Sequence, residues 1–305
     1  MELEFIRWLR ARLASQPSLP VGIGDDAAVL RLAEREGCVV TVDLLTDGVD
    51  FELANDAPQR VGRKALAVNL SDLAAMAARP LAAFVALALP RAGALELAKA
   101  LYEGMIPLAE RYQLAIAGGD TNTWDGPLVT SVTLVGEAGA SGPLLRSGAQ
   151  PGDWIVVSGR FGGSRLGHHF DFEPRVNEAL WLAGRYPLHA GIDVSDGLSL
   201  DLARVAEASG CGAVIELSKV PVAEAAGRWA AQLNDGSTAL AHALEDGEDF
   251  ELILAVPPAA AAELVAHQPL DCGLNAIGQF VAEKGLWQVG ASGTRQPLVP
   301  RGYEH

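Results

Sequence analysis

The sequence predicts an α/β protein of two domains, each a mixed sheet with helices packed on it. Three observations carry this. The chain has 305 residues, room for two domains at roughly 100–200 residues each. Its first half reads β-α-β-α-β-β, an order that builds a mixed sheet covered by helices. A stretch rich in Gly, Ser and Pro at Gly139–Asp153 then precedes a second run of strands and helices, which divides the chain into residues 1–138 and 139–305.

The elements follow in order. Phe5, Trp8, Leu9 and Leu13 mark a short amphipathic N-terminal helix, and Gly22–Asp26 a glycine-aspartate turn. Cys38–Leu45 is β-branched and apolar, so it reads as a buried strand. Ala57–Arg79 reads as a helix stopped by Pro80, and Leu81–Leu89 as a second strand. In Ala94–Tyr112, Leu97, Leu101, Met105, Leu108 and Tyr112 recur at three- and four-residue steps, the period of a helix face. Pro107 lies inside that helix and is expected to kink it. Leu114–Ala117 and Leu128–Glu137 read as strands, with a Gly-Gly-Asp turn between them. In the second half, Trp154–Val157 is a strand, followed by the glycine-rich Gly159–Gly167 and helical sequence to about Ala183. Ser199–Ser209 and Ala259–His267 are helices; Ala213–Leu217, Phe250–Val256, Ala276–Val281 and Trp287–Val289 are strands.

Composition narrows the function. The net charge is -15, with 38 acidic against 23 basic residues, so the long-range field repels nucleic acid and anionic membrane. An acidic protein that handles phosphate esters must overcome that repulsion locally, and bound cations do so. Cys38, Cys211 and Cys272 show neither metal-ligand spacing nor a paired framework, which fits a reducing, cytoplasmic setting. Met1–Arg10 lacks the basic-then-apolar pattern of a signal peptide, and no apolar run reaches the roughly 18–20 residues of a membrane helix.

The chemistry lies in the aspartates. Asp25 and Asp26 sit in Gly-Ile-Gly-Asp-Asp, Asp43 near the end of an apolar strand, and Asp120 after Gly118-Gly119. Asp193 and Asp196 sit in Asp-Val-Ser-Asp-Gly before a helix, and Asp246, Glu248, Asp249 and Glu251 precede the apolar Leu252–Val256. Any one of these could be a helix cap or turn residue. Together they recur at strand ends, where α/β sheets bind ligands. Converging carboxylates repel one another unless cations sit among them, and hard oxygen ligands suit magnesium. Asn69 and Asp72 share a face of the helical Lys64–Met76, either as a buried polar pair or as a solvent-facing stripe with Lys64 and Ser71. No Gly-x-x-x-x-Gly-Lys-Ser/Thr loop is present, which disfavours a P-loop enzyme. Gly159–Gly167 could cradle phosphate or serve as a plain strand-to-helix turn.

Taken in order, these segments resemble the thiamine-monophosphate kinases, in the superfamily of aminoimidazole-ribotide synthetase and selenophosphate synthetase. The match runs from Gly22–Ala28 through Thr41–Asp43, Gly48–Phe51, Lys64–Met76, Gly118–Thr121, Arg146–Asp153, Asp193–Gly197 and Gly247–Leu252 to Gly302–His305. Cys38 lies in an apolar strand, unlike the reactive residue a selenophosphate synthetase needs in a glycine-rich segment. The resemblance implies a two-domain aminoimidazole-ribotide-synthetase-like fold, with N-terminal halves pairing into a homodimer through a shared β-barrel. It implies ATP and thiamine monophosphate as substrates and several magnesium ions as cofactors. Asp26, Thr41, Asp43, Asp72, Asp120, Asp193 and Asp196 match the metal positions; Gly119, Asp120, Arg146 and Ser195 match ATP contacts; Asp50, Glu248 and Tyr303 match contacts to the acceptor. Asp50 departs from the histidine usual at its position, placing a negative charge on the expected acceptor side.

Overall fold

The computed structural model describes residues 8, 9, 11–13, 17, 38–290 and 293–303. The glycine-aspartate turn at Gly22–Asp26, and with it Asp26, lies outside the described residues, as do Glu304 and His305. The chain divides into two compact units, one of residues 1–73 and 78–142, the other of residues 74–77 and 143–305.

The first unit is a four-stranded sheet of order β1-β4-β2-β3, from β1 (Cys38–Thr46), β2 (Ala78–Pro90), β3 (Ala115–Trp124) and β4 (Val129–Ala138). β4 pairs antiparallel with β1 and β2, while β2 and β3 run parallel. Among the described residues the sheet is open, with β1 and β3 as its edges, and closes no barrel. Strand alternation on β1 does something the apolar run does not announce. Val40, Val42 and Leu44 form an exposed row, whereas Thr41 and Asp43 alternate with them onto the less exposed face. β1 is therefore a strand, but not a buried one.

Helix α1 (Pro58–Ala75) is buried on nearly every side: Leu66, Leu70 and Leu73 are inaccessible, and so are the polar Lys64 and Asn69. The solvent-facing stripe is thereby excluded. α1 ends four residues before the expected Arg79. Ala77 takes a left-handed conformation (φ 48°), and Ala78 already pairs with Ala138 in β2. Tertiary strand pairing overrides the helix preference of the alanine run. Helix α2 (Ala94–Arg111) runs continuously through Pro107. It crosses α1 at backbone contact: a Cβ on Gly62 would meet the Leu101 carbonyl oxygen at 2.0 Å, and one on Gly104 the Gln59 carbonyl oxygen at 1.8 Å.

The second unit is a seven-stranded sheet of order β11-β10-β7-β9-β5-β8-β6. Its strands are β5 (Trp154–Ser158), β6 (Ala190–Asp193), β7 (Gly212–Glu216), β8 (Leu252–Val256), β9 (Leu274–Val281), β10 (Gly285–Val289) and β11 (Arg295–Pro297). β7 and β10 are parallel and the other pairs antiparallel. Besides a single helical turn at His168–Asp171, the helices are α3 (Val176–Ala183), α4 (Leu198–Ala208), α5 (Glu224–Leu233), α6 (Ala239–Glu245) and α7 (Pro258–His267). Ile155, Val157, Ile192, Leu198, Leu202 and Ile253 are among the residues of its continuous core, which fixes the end of β6 against the start of α4. Among the described residues, no helix is long and apolar enough to cross a membrane.

Candidate metal and phosphate site

In the first unit, α1 and β1 bring three predicted residues to one place. Asp72 accepts a hydrogen bond from the Thr41 hydroxyl, and Asp43 lies two positions along the same strand face. A hydroxyl and two carboxylates on neighbouring elements form a hard oxygen donor set. Asn69, one turn before Asp72, is fully buried, and its side-chain amide donates to the Ala65 carbonyl at 3.1 Å.

Gly119 and Asp120 lie within β3, not in a turn, because the strand continues through the glycine pair to Trp124. Gly119 passes so near β2 that a Cβ there would fall 1.8 Å from the Val85 carbonyl oxygen. A strand glycine of this kind marks close backbone approach. Asp43, Val132, Val85 and Gly119 form one row across the sheet, and Asp120 stands in the next, with Ala86, Ser131 and Leu44. Asp120 is exposed and accepts the Thr121 N–H at 2.9 Å.

Asp50 closes the turn after β1. Its carboxylate accepts the Thr46 N–H at 2.7 Å, and its carbonyl accepts from the buried Lys64 ammonium at 2.9 Å. The negative charge that is unexpected on an acceptor side therefore has a local backbone task and a buried cation close by.

In the second unit, two loops are laced together. Val194 N–H donates to Glu251 O, Phe250 N–H to Val194 O and Glu248 N–H to Ser195 O, each at 2.8 Å. Asp193 ends β6 and Asp196 opens the approach to α4, both buried. Asp196 accepts from Arg204 at 2.5 Å. Asp201, fully buried, accepts the N–H groups of Asp196 and Gly197 at 3.0 and 3.1 Å, satisfying donors that a helix start leaves open. Burial pushes the Asp201 carboxyl up to about 7; the Asp196 N–H pulls it down, and the nearby Asp193 and Asp196 charges push it up. Asp201 and Arg204 escaped the sequence reading because an Asp-x-x-Arg pair on a helix looks like an ordinary surface pair.

The Gly247–Glu251 loop carries left-handed residues at Gly247, Glu248 and Phe250, with φ of 71°, 55° and 52°. Glu248 points a carboxylate oxygen to within 3.7 Å of His169. Asp249 is buried and accepts the Gly162 N–H at 2.8 Å, fastening the glycine-rich loop; burial raises its carboxyl well above the ordinary range. Glu251 accepts a bidentate pair from Arg175, at 2.7 and 2.5 Å, and a bond from the Ser158 hydroxyl at 2.5 Å. Arg146 is exposed, and its carbonyl accepts from Ser209 at 3.3 Å. Tyr303 comes to the carboxylate loop through its backbone, its N–H donating to the Asp196 carbonyl at 2.9 Å. A Cβ on Gly302 would stand 2.2 Å from that same oxygen, so this approach needs glycine. A cavity of about 320 Å³ opens beside this segment.

Among the described residues, no three His, Cys, Asp or Glu side chains come together as a closed metal cage. Thr41, Asp43 and Asp72 in one unit, and Asp193 and Asp196 in the other, place oxygen donors together without closing such a cage.

Comparison with known proteins agrees in family. Profiles of AIR synthase related protein match residues 24–138 with the N-terminal domain and residues 158–286 with the C-terminal domain. A thiamine-monophosphate kinase from Rhodopirellula baltica is 44% identical over 312 residues, covering 100% of this chain and 97% of its own length. The crystal structure of thiamine-monophosphate kinase from Stenotrophomonas maltophilia superposes with a TM-score of 0.80 at 34% identity, over 93% of this chain and 95% of that one. AaThiL complexed with AMPPCP and TMP superposes at 0.77 with 26% identity, over 100% of this chain and 96% of that one.

Proposed function

The chain belongs to the thiamine-monophosphate kinases, within the AIR synthase related proteins, and from that premise we propose that it moves the terminal phosphoryl group of ATP directly onto the phosphate of thiamine monophosphate, assisted by several magnesium ions. The observation that carries the metal part of this reading is the Thr41–Asp72 hydrogen bond with Asp43 beside it, a preformed set of hard oxygen donors on rigid elements. Full-length similarity to kinases, one of them complexed with AMPPCP and TMP, supports the substrates.

Asp26, Thr41, Asp43, Asp72, Asp120, Asp193 and Asp196 would hold the ions, which when bound neutralise charge on the donor and acceptor phosphates. Gly119, Asp120, Arg146 and Ser195 would contact ATP, and Asp50, Glu248 and Tyr303 the thiamine phosphate. The acceptor oxygen is already anionic near neutral pH, so no side chain needs to remove a proton. A new P–O bond forms to that oxygen as the bond to the leaving ADP oxygen breaks. Thr41 holds the Asp72 carboxylate through its hydroxyl, and Arg204 holds Asp196. The buried Lys64 braces the Asp50 turn. In this reading residues 1–138 bind ATP and magnesium and dimerise, and residues 139–305 complete the nucleotide and acceptor sites. The three cysteines are all free thiols, in keeping with a cytoplasmic enzyme.

The test is an assay with ATP, magnesium and thiamine monophosphate, following thiamine diphosphate by fluorescence after oxidation. Product is expected with magnesium, none in excess EDTA, and recovery when magnesium is restored. Protein that binds Mg-ATP yet forms no product would overturn the acceptor.

The exposed row Val40, Val42 and Leu44 supports a homodimer, since an apolar strand face at a sheet edge gains most when a second copy covers it. Val42→Asp is expected to halve the mass found by light scattering. An unchanged mass would remove β1 from the interface.

A further inference from the structure

The segment that carries Arg146 is held by a side chain with no task in the reading so far. Ser209 caps the C-terminus of α4. Its hydroxyl accepts the Gly148 N–H at 3.2 Å and the Ala149 N–H at 3.0 Å, and donates to the Arg146 carbonyl at 3.3 Å. A hydroxyl has one proton to give and two lone pairs to offer, so all of its capacity goes to this one segment. Ala149 is buried, and its N–H would be left unsatisfied without that oxygen.

The segment is pinned again on either side of this contact. The Leu145 carbonyl accepts the Gly191 N–H at 2.9 Å, two residues before Asp193 in β6. Asp153 accepts the Gln150 N–H at 2.8 Å, and the same carboxylate oxygen lies 2.8 Å from His189 Nδ1. Gly148 has φ of 121°, and a Cβ there would stand 2.4 Å from the His189 carbonyl oxygen. The backbone on both sides of Arg146 is therefore fixed, while its guanidinium is exposed and makes no ion pair among the described residues. In a chain of net charge -15, an unpaired arginine on a braced backbone is suited to hold a phosphate rather than to support the fold.

The opposite end of α4 braces the carboxylates, through Asp201 and the N–H groups of Asp196 and Gly197. Between the two ends, Leu198, Leu202 and Val205 lie in the continuous core. One rigid helix thus ties the Asp193–Asp196 loop at its start to the Arg146 segment at its finish. We infer that Ser209 is a positioning residue for the nucleotide, which acts through Arg146 by fixing where the guanidinium meets ATP. The inference rests on the kinase reading, in which Arg146 contacts ATP, and adds the residue that sets that contact.

Calorimetric titration of the full chain with Mg-ATP tests it, because nucleotide binding is read without the acceptor. Ser209→Ala is expected to raise Kd on the order of tenfold, the lower end for a lost hydrogen bond to a charged group. Ser209→Thr keeps the hydroxyl and should bind nearly as wild type, which keeps the test open if the alanine variant fails to fold. Arg146→Ala is expected to weaken binding by at least as much. The double variant decides the route: adding Ser209→Ala to Arg146→Ala should raise Kd no more than about twofold, because residues that act as one unit are not additive. An equal effect of Ser209→Ala in both backgrounds would assign it a structural role and sink the inference. An unchanged Kd in Ser209→Ala, or a Ser209→Thr variant as weak as the alanine one, would do the same. If Arg146→Ala binds Mg-ATP as wild type does, the ATP contact of Arg146 falls and the inference with it. Thiamine diphosphate formation by the wild type would still leave the kinase reading standing in each of these cases.

Discussion

Asp72→Asn is expected to reduce turnover on the order of a thousandfold, to background in most assays, with thermal stability close to wild type. The expectation follows from what the substitution keeps and what it removes. Asparagine has the same shape and retains an acceptor for the Thr41 hydroxyl, so the contact between α1 and β1 survives. The anion is lost, and with it the ability to hold a divalent cation against phosphate, a contribution of several kcal/mol to the transition state. Asp72 is half-buried and the leucines around it on α1 are untouched, so packing gives no reason for collapse. The measurement is kcat beside an unfolding midpoint. Near-normal kcat in folded protein would refute a metal role for Asp72.

Arg175→Ala is expected to lower stability by about 3–5 kcal/mol, the range for removing one partner of a buried ion pair. Glu251 is only 3% exposed, and Arg175 supplies two of its bonds, the third coming from Ser158. Without the guanidinium, a buried carboxylate loses its counter-charge beside Gly159, where a Cβ would stand 2.0 Å from the carboxylate oxygen. That crowding leaves little space for water to replace the arginine. Denaturant unfolding reads the loss directly. Arg175→Met combined with Glu251→Leu should regain part of it, because the unpaired charge is then gone. A loss under 1 kcal/mol for Arg175→Ala would show that the pair contributes no more than an exposed one.

The sequence made strands and helices readable where period and composition agree, as in α2 with its three- and four-residue repeat. It misled where tertiary contact outweighs local preference. Ala74 to Ala78 favours helix, but pairing of Ala78 with Ala138 begins β2 there. Gly118-Gly119-Asp120 has turn chemistry, but β3 runs through it because only glycine clears the Val85 carbonyl. β6 has four residues and gives little periodic signal, and β11 has three. α6 carries a readable start in its Thr238 cap. At the candidate site, the two aspartates of Asp193-Val-Ser-Asp stand out by their spacing before a helix. Their supports do not: Asp201, Arg204 and Arg175 are common residue types whose task is visible only once the chain is folded. Burial was the least legible property, since β1 reads as core while Val42 is 62% exposed, and α1 reads as half-polar while Lys64 is 0% exposed.

The left-handed backbone at Glu248 and Phe250 has a consequence for protein engineering. Each costs on the order of 1–2 kcal/mol in a residue with a Cβ. A search for thermostable variants would therefore be drawn to both positions, where glycine relieves the torsion. At Phe250 the gain is cancelled, because its ring stacks on Phe172 at 4.1 Å and would leave a void. At Glu248 the change gives up the carboxylate that faces His169. In the proposed reading, where Glu248 contacts the acceptor, position 248 is one at which durability and turnover pull in opposite directions.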